Sequence, residues 1–342
     1  MQKVKEYLKK AGKRYGIDAM SAMAQGLFAS LLIGTIIATL GDQLKMSVLT
    51  EIGAFAKQMS GPAMAAAIGY ALKVDPLVLF SLITVGFTAN AEGGAGGPLA
   101  VYFVAIVAAE VGQLLSKKTK IDILVTPAVT VIVGVGLSML IAPSIGTAAN
   151  AMGEVIKWAT TQQPFLMGIL VSVLVGVALT LPISSAAICA ALQLTGLAGG
   201  AAVAGCCAQM IGFAVMSYRE NGVGGLVSQG LGTSMLQMPN ILRNPRVWIP
   251  PTLASAITGP IATCLFHLEM NGPAISSGMG TCGLVGQIGV ITGWSNAGYA
   301  ATAMDWIGLA LICFVLPAVL TLIFGELLRK IGWIKPGDLK LQ

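Results

Sequence analysis

Long apolar runs, separated by short polar and charged segments, set the pattern of this chain. Apolar runs fall over 19–40, 52–72, 121–142, 165–180, 201–217, 252–268 and 306–327. They approach or reach the roughly 20 residues that a helix needs to cross a bilayer. Their continuity excludes an outer-membrane barrel, whose strands alternate apolar and polar positions. Two stretches are longer than one span. Residues 76–115 are two apolar arms around GGAGGP at 93–98, and residues 158–218 contain no Asp, Glu, Lys or Arg.

Charge resolves both. Basic residues cluster in 3–14, 117–120, 219–246 and 329–340, with Lys73 between. The positive-inside rule places these on the cytoplasmic face. Residues 76–115 must then cross twice or loop back. Residues 164–218 must cross an odd number of times, and three passes fit: about 164–181, 183–196 and 198–218. The count is about ten crossings with both termini cytoplasmic. Every Lys and Arg except Lys45, Lys57 and Lys157 is then inside. The expected fold is an all-α polytopic membrane protein forming one membrane domain over 1–342. It has an amphipathic cytoplasmic helix at 1–16, a cytoplasmic polar loop at 217–251 and a re-entrant Gly-rich segment at 269–302.

Composition agrees. Of 342 residues, 56% are hydrophobic and 10% charged, against about 25% charged in a soluble domain; mean hydropathy is +0.83. The net charge of +6 follows from the positions of the loops and does not indicate nucleic-acid binding. Six cysteines, all in apolar or Gly-rich sequence, show no metal-ligand spacing and read as small buried hydrophobes.

Ionisable groups at membrane depth are costly, so each is a functional candidate. Glu92 stands beside Asn90 in TVGFTANAEGGAGGP. The only histidine, His267, stands in CLFHLEMNGPAISSGMGTCGLV with Glu269 two residues on and Asn271 following. Glycines and a proline flank both acids. Broken backbone within a membrane is tolerated where protein buries it or water reaches it. There, carboxylates accept while Asn, His and backbone N–H donate, which suits a neutral polyhydroxylated ligand. Asn90, Glu92, His267, Glu269 and Asn271 are the candidate substrate-binding residues. Arg219, Glu220 and Asn221 open the polar stretch 217–251 and are candidates for a cytoplasmic gate or partner-docking surface. Glu110 and Asp305, near predicted span ends, read as solvated. No catalytic triad, metal site or cofactor motif is legible.

The runs QGLGTSMLQMPNILRNPRVWIPPTLASAITGPIAT, NGPAISSGMGTCGLVGQIGVITGW and NAEGGAGGPLAVYF carry a resemblance over nearly the whole chain. It resembles the membrane-embedded IIC component of bacterial phosphotransferase-system sugar transporters, in particular the stand-alone subgroup that includes perfringolysin-regulator-like proteins. The resemblance implies a homodimer in the bacterial cell membrane, with about ten spans, re-entrant hairpins and a sugar held near mid-membrane by a glutamate. It also implies elevator-like alternating access. Glu92 and Glu269 compete for the glutamate's role. Neither is followed by proline as is common in glucose-type members, since Glu92 precedes Gly and Glu269 precedes Met. Phosphorylation requires IIA and IIB proteins, which this chain does not contain, so they would be separate partners. Besides a sugar permease, the residues fit a membrane sensor or regulator on the same scaffold, or a facilitator or exporter working without phosphorylation.

Overall fold

The computed structural model describes Glu6 and residues 10–341. Of the amphipathic helix expected over 1–16, residues 1–5 and 7–9 lie outside the described residues. Among those described, the chain is helical without strands, apart from one isolated bridge between Gly196 and Met270. Two compact units form, Met1–Ala149 and Asn150–Gln342.

In the first unit α1 (Gly12–Leu44) is long and apolar enough to cross a membrane. It ends where Lys45 turns left-handed and Met46 is extended. The chain then returns as α2 (Ser47–Gln58) and α3 (Ser60–Ala71), broken at Met59. Gly41 lies on Thr50, Gly34 on Gly53 and Gly26 on Ala63, so the return is antiparallel. The expected 52–72 span is thus two shorter helices in series.

The 76–115 stretch is a hairpin. α4 (Pro76–Gly93) and α5 (Gly97–Leu115) are separated at Gly94, whose φ of 50° and ψ of −120° suit glycine alone. At the open end the Asp75 backbone N–H donates to Gln113 Oε1 at 2.8 Å, and Lys117 Nζ pairs with the Asp75 carboxylate. The Lys117 ammonium, and after it the Gln113 amide, hold the Asp75 carboxyl below its ordinary value. Each arm rises about 27 Å at 1.5 Å per residue, close to the thickness of a bilayer core. Glu110, expected to be solvated, pairs with Arg14 at 2.7 Å, and Arg14 also donates to the Leu72 carbonyl. Arg14, Lys73 and Lys117 therefore share one end of the unit, as the charge pattern requires. The part of α6 (Asp122–Thr160) up to Ala149 completes it, with Thr130 against Gly112 and Ile145 against Gly96.

The second unit is built on α7 (Pro164–Thr180), the seven-residue α8 (Ser185–Ala191) and α9 (Gly196–Met216). α7 and α9 run parallel. Ser172 lies against Gly205, Gly176 against Gly205 and Gln209, and Thr180 bonds Gln209 at 3.3 Å. The chain between them must therefore travel back along their length, which is the return stroke the charge argument demanded. α8 makes part of it, too short at about 10 Å to be a spanning helix alone. Nearly every α9 side chain is buried, and its run of Gly and Ala admits close backbones: the Ser172 carbonyl lies on Gly205 and the Leu268 carbonyl on Gly200.

The 217–251 stretch, expected as a cytoplasmic loop, contains α10 (Tyr218–Val227), α11 (Met238–Arg243) and buried turns. α12 (Ile249–Pro260) then returns antiparallel to α7, with Ser172 Oγ donating to the Ser255 carbonyl and Gly259 seated on Gly168. Beyond it the chain makes an excursion along α9. Met270 lies beside Gly199, Gly280 lies on Cys206 and Thr281 donates to the Gly230 carbonyl. It doubles back through α13 (Val285–Asn296), returning Gly293 to Asn271. α14 (Ala303–Lys330) closes the unit. Five of the six cysteines are buried as expected; Cys264 is exposed.

Candidate functional site

The site is built on HLEMN, residues 267–271. This segment leaves the helix after Phe266 and runs along the N-terminal end of α9. The Leu268 N–H donates to the Ala262 carbonyl at 2.8 Å, and Gly196 and Met270 exchange both backbone bonds at 2.9 and 3.0 Å. Around the bridged Met270 successive side chains go to opposite faces, as along a strand. Leu268 and Met270, 4% and 0% exposed, enter a core with Val203, Ala204, Ala262, Val290 and Ile312. His267, Glu269 and Asn271 face the other way, into a cavity of about 280 Å³.

Gly200 makes this possible, because a Cβ there would overlap the Leu268 carbonyl oxygen. His267 sits at φ 44°, a region that a non-glycine residue occupies only when its surroundings hold it there. The polar groups order one another. Asn271 Nδ2 donates to Glu269 Oε2 at 2.8 Å, and Asn271 Oδ1 accepts from the Gly196 N–H at 3.1 Å.

Trp294 of α13, Tyr299 and Asp305 complete the wall with Phe266 and Gly293. Asp305, expected to be solvated, belongs to the cavity. Its Oδ2 accepts from the Thr302 N–H at 2.7 Å, the Thr302 hydroxyl at 2.8 Å and the Tyr299 hydroxyl at 2.9 Å. The bond to this carboxylate raises the Tyr299 phenol above its ordinary value. Trp294 stands edge-on to Trp306, ring centroids 5.3 Å apart. The wall thus offers two carboxylates, a carboxamide, an imidazole, a phenol and an indole, and no Lys or Arg. Among the described residues no cluster of His, Cys, Asp and Glu is arranged to hold a metal ion.

A family model described as "Phosphotransferase system, EIIC" matches residues 17–341. The chain belongs to the phosphotransferase-system EIIC family. No curated protein and no solved structure matches it. Membership and the apolar helices make it a membrane protein and a transport component of that system, whose cargo class is sugars.

The other candidates of this EIIC protein are not among the residues that line this cavity. Asn90 and Glu92 belong to the first unit, at the closed end of the α4–α5 hairpin. Asn90 is half-buried, its Nδ2 3.4 Å from Ser60 Oγ and its Oδ1 beside Gly97. Glu92 is exposed. Arg219, exposed, pairs with Glu326 at 2.8 Å. Glu220 and Asn221 are engaged by residues 339–341 of the same chain. Sequence reasoning missed Trp294, Tyr299 and Asp305. The Thr302–Asp305 spacing is a capping-box pattern that marks a helix start, but nothing in the sequence joins that start to His267.

Proposed function

We propose that this EIIC protein is a permease for a neutral sugar or sugar derivative, which it holds in the cavity of the second unit and moves by alternating access. One observation supports this above the rest. The strand-like HLEMN segment aims an imidazole, a carboxylate and a carboxamide into one space opposite Trp294, Tyr299 and Asp305. A sugar offers hydroxyls that donate and accept around an apolar ring face. Glu269 accepts, His267 and Asn271 exchange hydrogen bonds, and Trp294 supplies apolar surface. Two carboxylates without a basic partner in the wall oppose an anionic sugar such as a uronate or a sugar phosphate.

The ten-crossing topology with cytoplasmic termini belongs to the same proposal. The parallel α7 and α9, with a return between them, favour it, as do the hairpin of α4 and α5 and the shared end of Arg14, Lys73 and Lys117. On this reading residues 271–296 are a re-entrant excursion from the outer side. Where the cargo is phosphorylated, IIA and IIB components of the system do that work. Asn90 and Glu92 remain candidates to be tested separately.

The test is binding of a panel of neutral hexoses, hexosamines and uronates to purified protein in detergent, by calorimetry or thermal shift, followed by uptake into proteoliposomes. Neutral members should bind, and Glu269→Gln should weaken binding. Binding that is unchanged in Glu269→Gln, or that prefers uronates, overturns the proposal.

A further inference from the structure

The 217–251 stretch contains a second built site, already filled. Gln229, Gln237 and Asn240 are 0%, 0% and 2% exposed. Buried carboxamides are costly unless paired, and these form a chain. Gln229 Nε2 donates to Ser217 Oγ at 2.8 Å, Gln237 Nε2 to Gln229 Oε1 at 2.8 Å and Asn240 Nδ2 to Gln237 Oε1 at 2.7 Å. Together with Glu220, Asn221 and Asn244 they grip residues 333–341, and nearly all of the grip is on main chain. The Leu339 carbonyl accepts from Asn221 Nδ2 at 2.9 Å and Gln237 Nε2 at 3.0 Å. The Lys340 carbonyl accepts from Asn240 Nδ2 at 3.1 Å, and the Trp333 carbonyl from Asn244 Nδ2 at 2.9 Å. The Leu339 and Leu341 N–H groups donate to Glu220 Oε2 and Asn221 Oδ1, each at 2.8 Å.

Three further contacts orient the segment. Asn244 Nδ2 donates to Asp338 Oδ2 at 2.8 Å. Arg246 stacks over the Trp333 ring at 5.0 Å. Arg329, at the end of α14, pairs with Glu220 Oε1 at 3.4 Å. Only two side chains of the segment are sunk in the protein, Ile334 and Leu339, 2% and 0% exposed.

We propose that this is a peptide-binding site, occupied in cis by residues 333–341. It recognises the peptide groups of a segment that turns at Pro336–Leu339 and one apolar side chain at the Leu339 position. Most of the recognition is of main-chain groups, with Leu339 and the turn at Gly337, φ 93°, setting the sequence requirement. The segment itself contains no helix beyond turns around Pro336 and Gly337. Gly332, at φ 75°, joins it to α14, so it can leave without unwinding that helix. When it leaves, Asn221, Gln237, Asn240 and Asn244 each lose an acceptor on the segment, and Glu220 and Asn221 lose donors, so the site receives another peptide able to take the same turn. The site is independent of the cargo that the cavity takes.

The experiment inserts a protease cleavage sequence between Gly332 and Trp333 of the full chain. The protein is purified in detergent, checked for a single gel-filtration peak and then cut. A fluorescent synthetic peptide of residues 333–342 should replace the cut segment, saturably, measured by polarisation. Gln237→Ala with Asn240→Ala should weaken it about tenfold or more, and a peptide carrying Leu339→Asp should fail to compete. Should the insertion prevent folding, the full chain bearing Leu339→Asp replaces it, and the native peptide should bind that protein more tightly than wild type. No saturable binding in either format, or equal binding to the Gln237/Asn240 double variant, overturns the proposal.

Discussion

Glu92 and Glu269 carry the same sequence signature, an acid beside an asparagine and glycines within apolar sequence, yet the chain uses the glycines differently around each. Near Glu92 they make a turn. Gly94 takes a backbone conformation closed to other residues and the two hairpin arms fold together, leaving the carboxylate exposed at the tip. Near Glu269 the glycine that matters is Gly200, on another helix, whose missing side chain lets an extended segment lie flat on α9. One arrangement bends the chain; the other displays alternate side chains of a straight one. A carboxylate near glycines in a membrane sequence is therefore a signal of broken helix, and whether it becomes a binding group depends on which partner the break admits.

That contrast can be broken most directly at Gly200. Gly200→Val should push the 267–271 segment away from α9 and abolish sugar binding, with about 1–3 kcal/mol of overpacking cost read as a lower melting temperature. Gly94→Ala should cost a similar amount through backbone strain but leave affinity in place. Equal loss of binding in the two would erase the distinction.

Next come the acids themselves. Glu269→Gln should weaken binding about ten- to hundredfold, since a charge-assisted hydrogen bond is lost. Glu92→Gln should change it by less than about threefold, the scale of an exposed charge. A calorimetric titration giving comparable losses would bring the first unit into the site. Smaller still, Tyr299→Phe removes the hydroxyl that steadies Asp305 and should weaken binding roughly two- to tenfold while the melting temperature holds; an unchanged affinity would take Tyr299 and Asp305 out of the wall.

The smallest effect concerns the open end of the hairpin. Asp75 titrates below its ordinary value because Lys117, and after it Gln113, hydrogen-bond its charged form. A carboxyl depressed on folding contributes stability above its unfolded value near ~4, and that contribution disappears as pH falls through the folded value. Wild type should lose melting temperature below about pH 4 more steeply than Asp75→Asn. Parallel acid profiles would remove the Asp75–Lys117 contact from the hairpin's stability.

Much of the fold was legible because bilayer thickness and charge placement act on sequence directly. Apolar runs of the right length named most of the long helices, and the flanking charges called for a chain that doubles back within 164–218, the path that the parallel α7 and α9 require. The break at Met59 and the shortness of α8 were not legible, since a small kink or a short return leaves the apolar count unaltered. In the cavity, the spacing of His267, Glu269 and Asn271 was visible as a cluster. Its two-residue alternation against Leu268 and Met270 gained meaning only once Gly196 and Gly200 were known to lie alongside. The polar stretch 217–251 was read by its arginines, while its buried carboxamides face a segment about a hundred positions later.

The sequence alone determined that this chain lies in a membrane, which segments carry the basic residues, and that Glu92 and Glu269 stand beside glycines where helices end. Those properties follow from the cost of placing charge and unpaired backbone in hydrocarbon, a cost each residue bears locally. Tertiary structure decided which interruption opens a cavity, which aromatic and acidic groups close it, and that residues 333–341 fill a carboxamide-lined slot. Those outcomes depend on close approach between distant backbones, at glycines such as Gly200, and close approach is a property of pairs that no single stretch of sequence records.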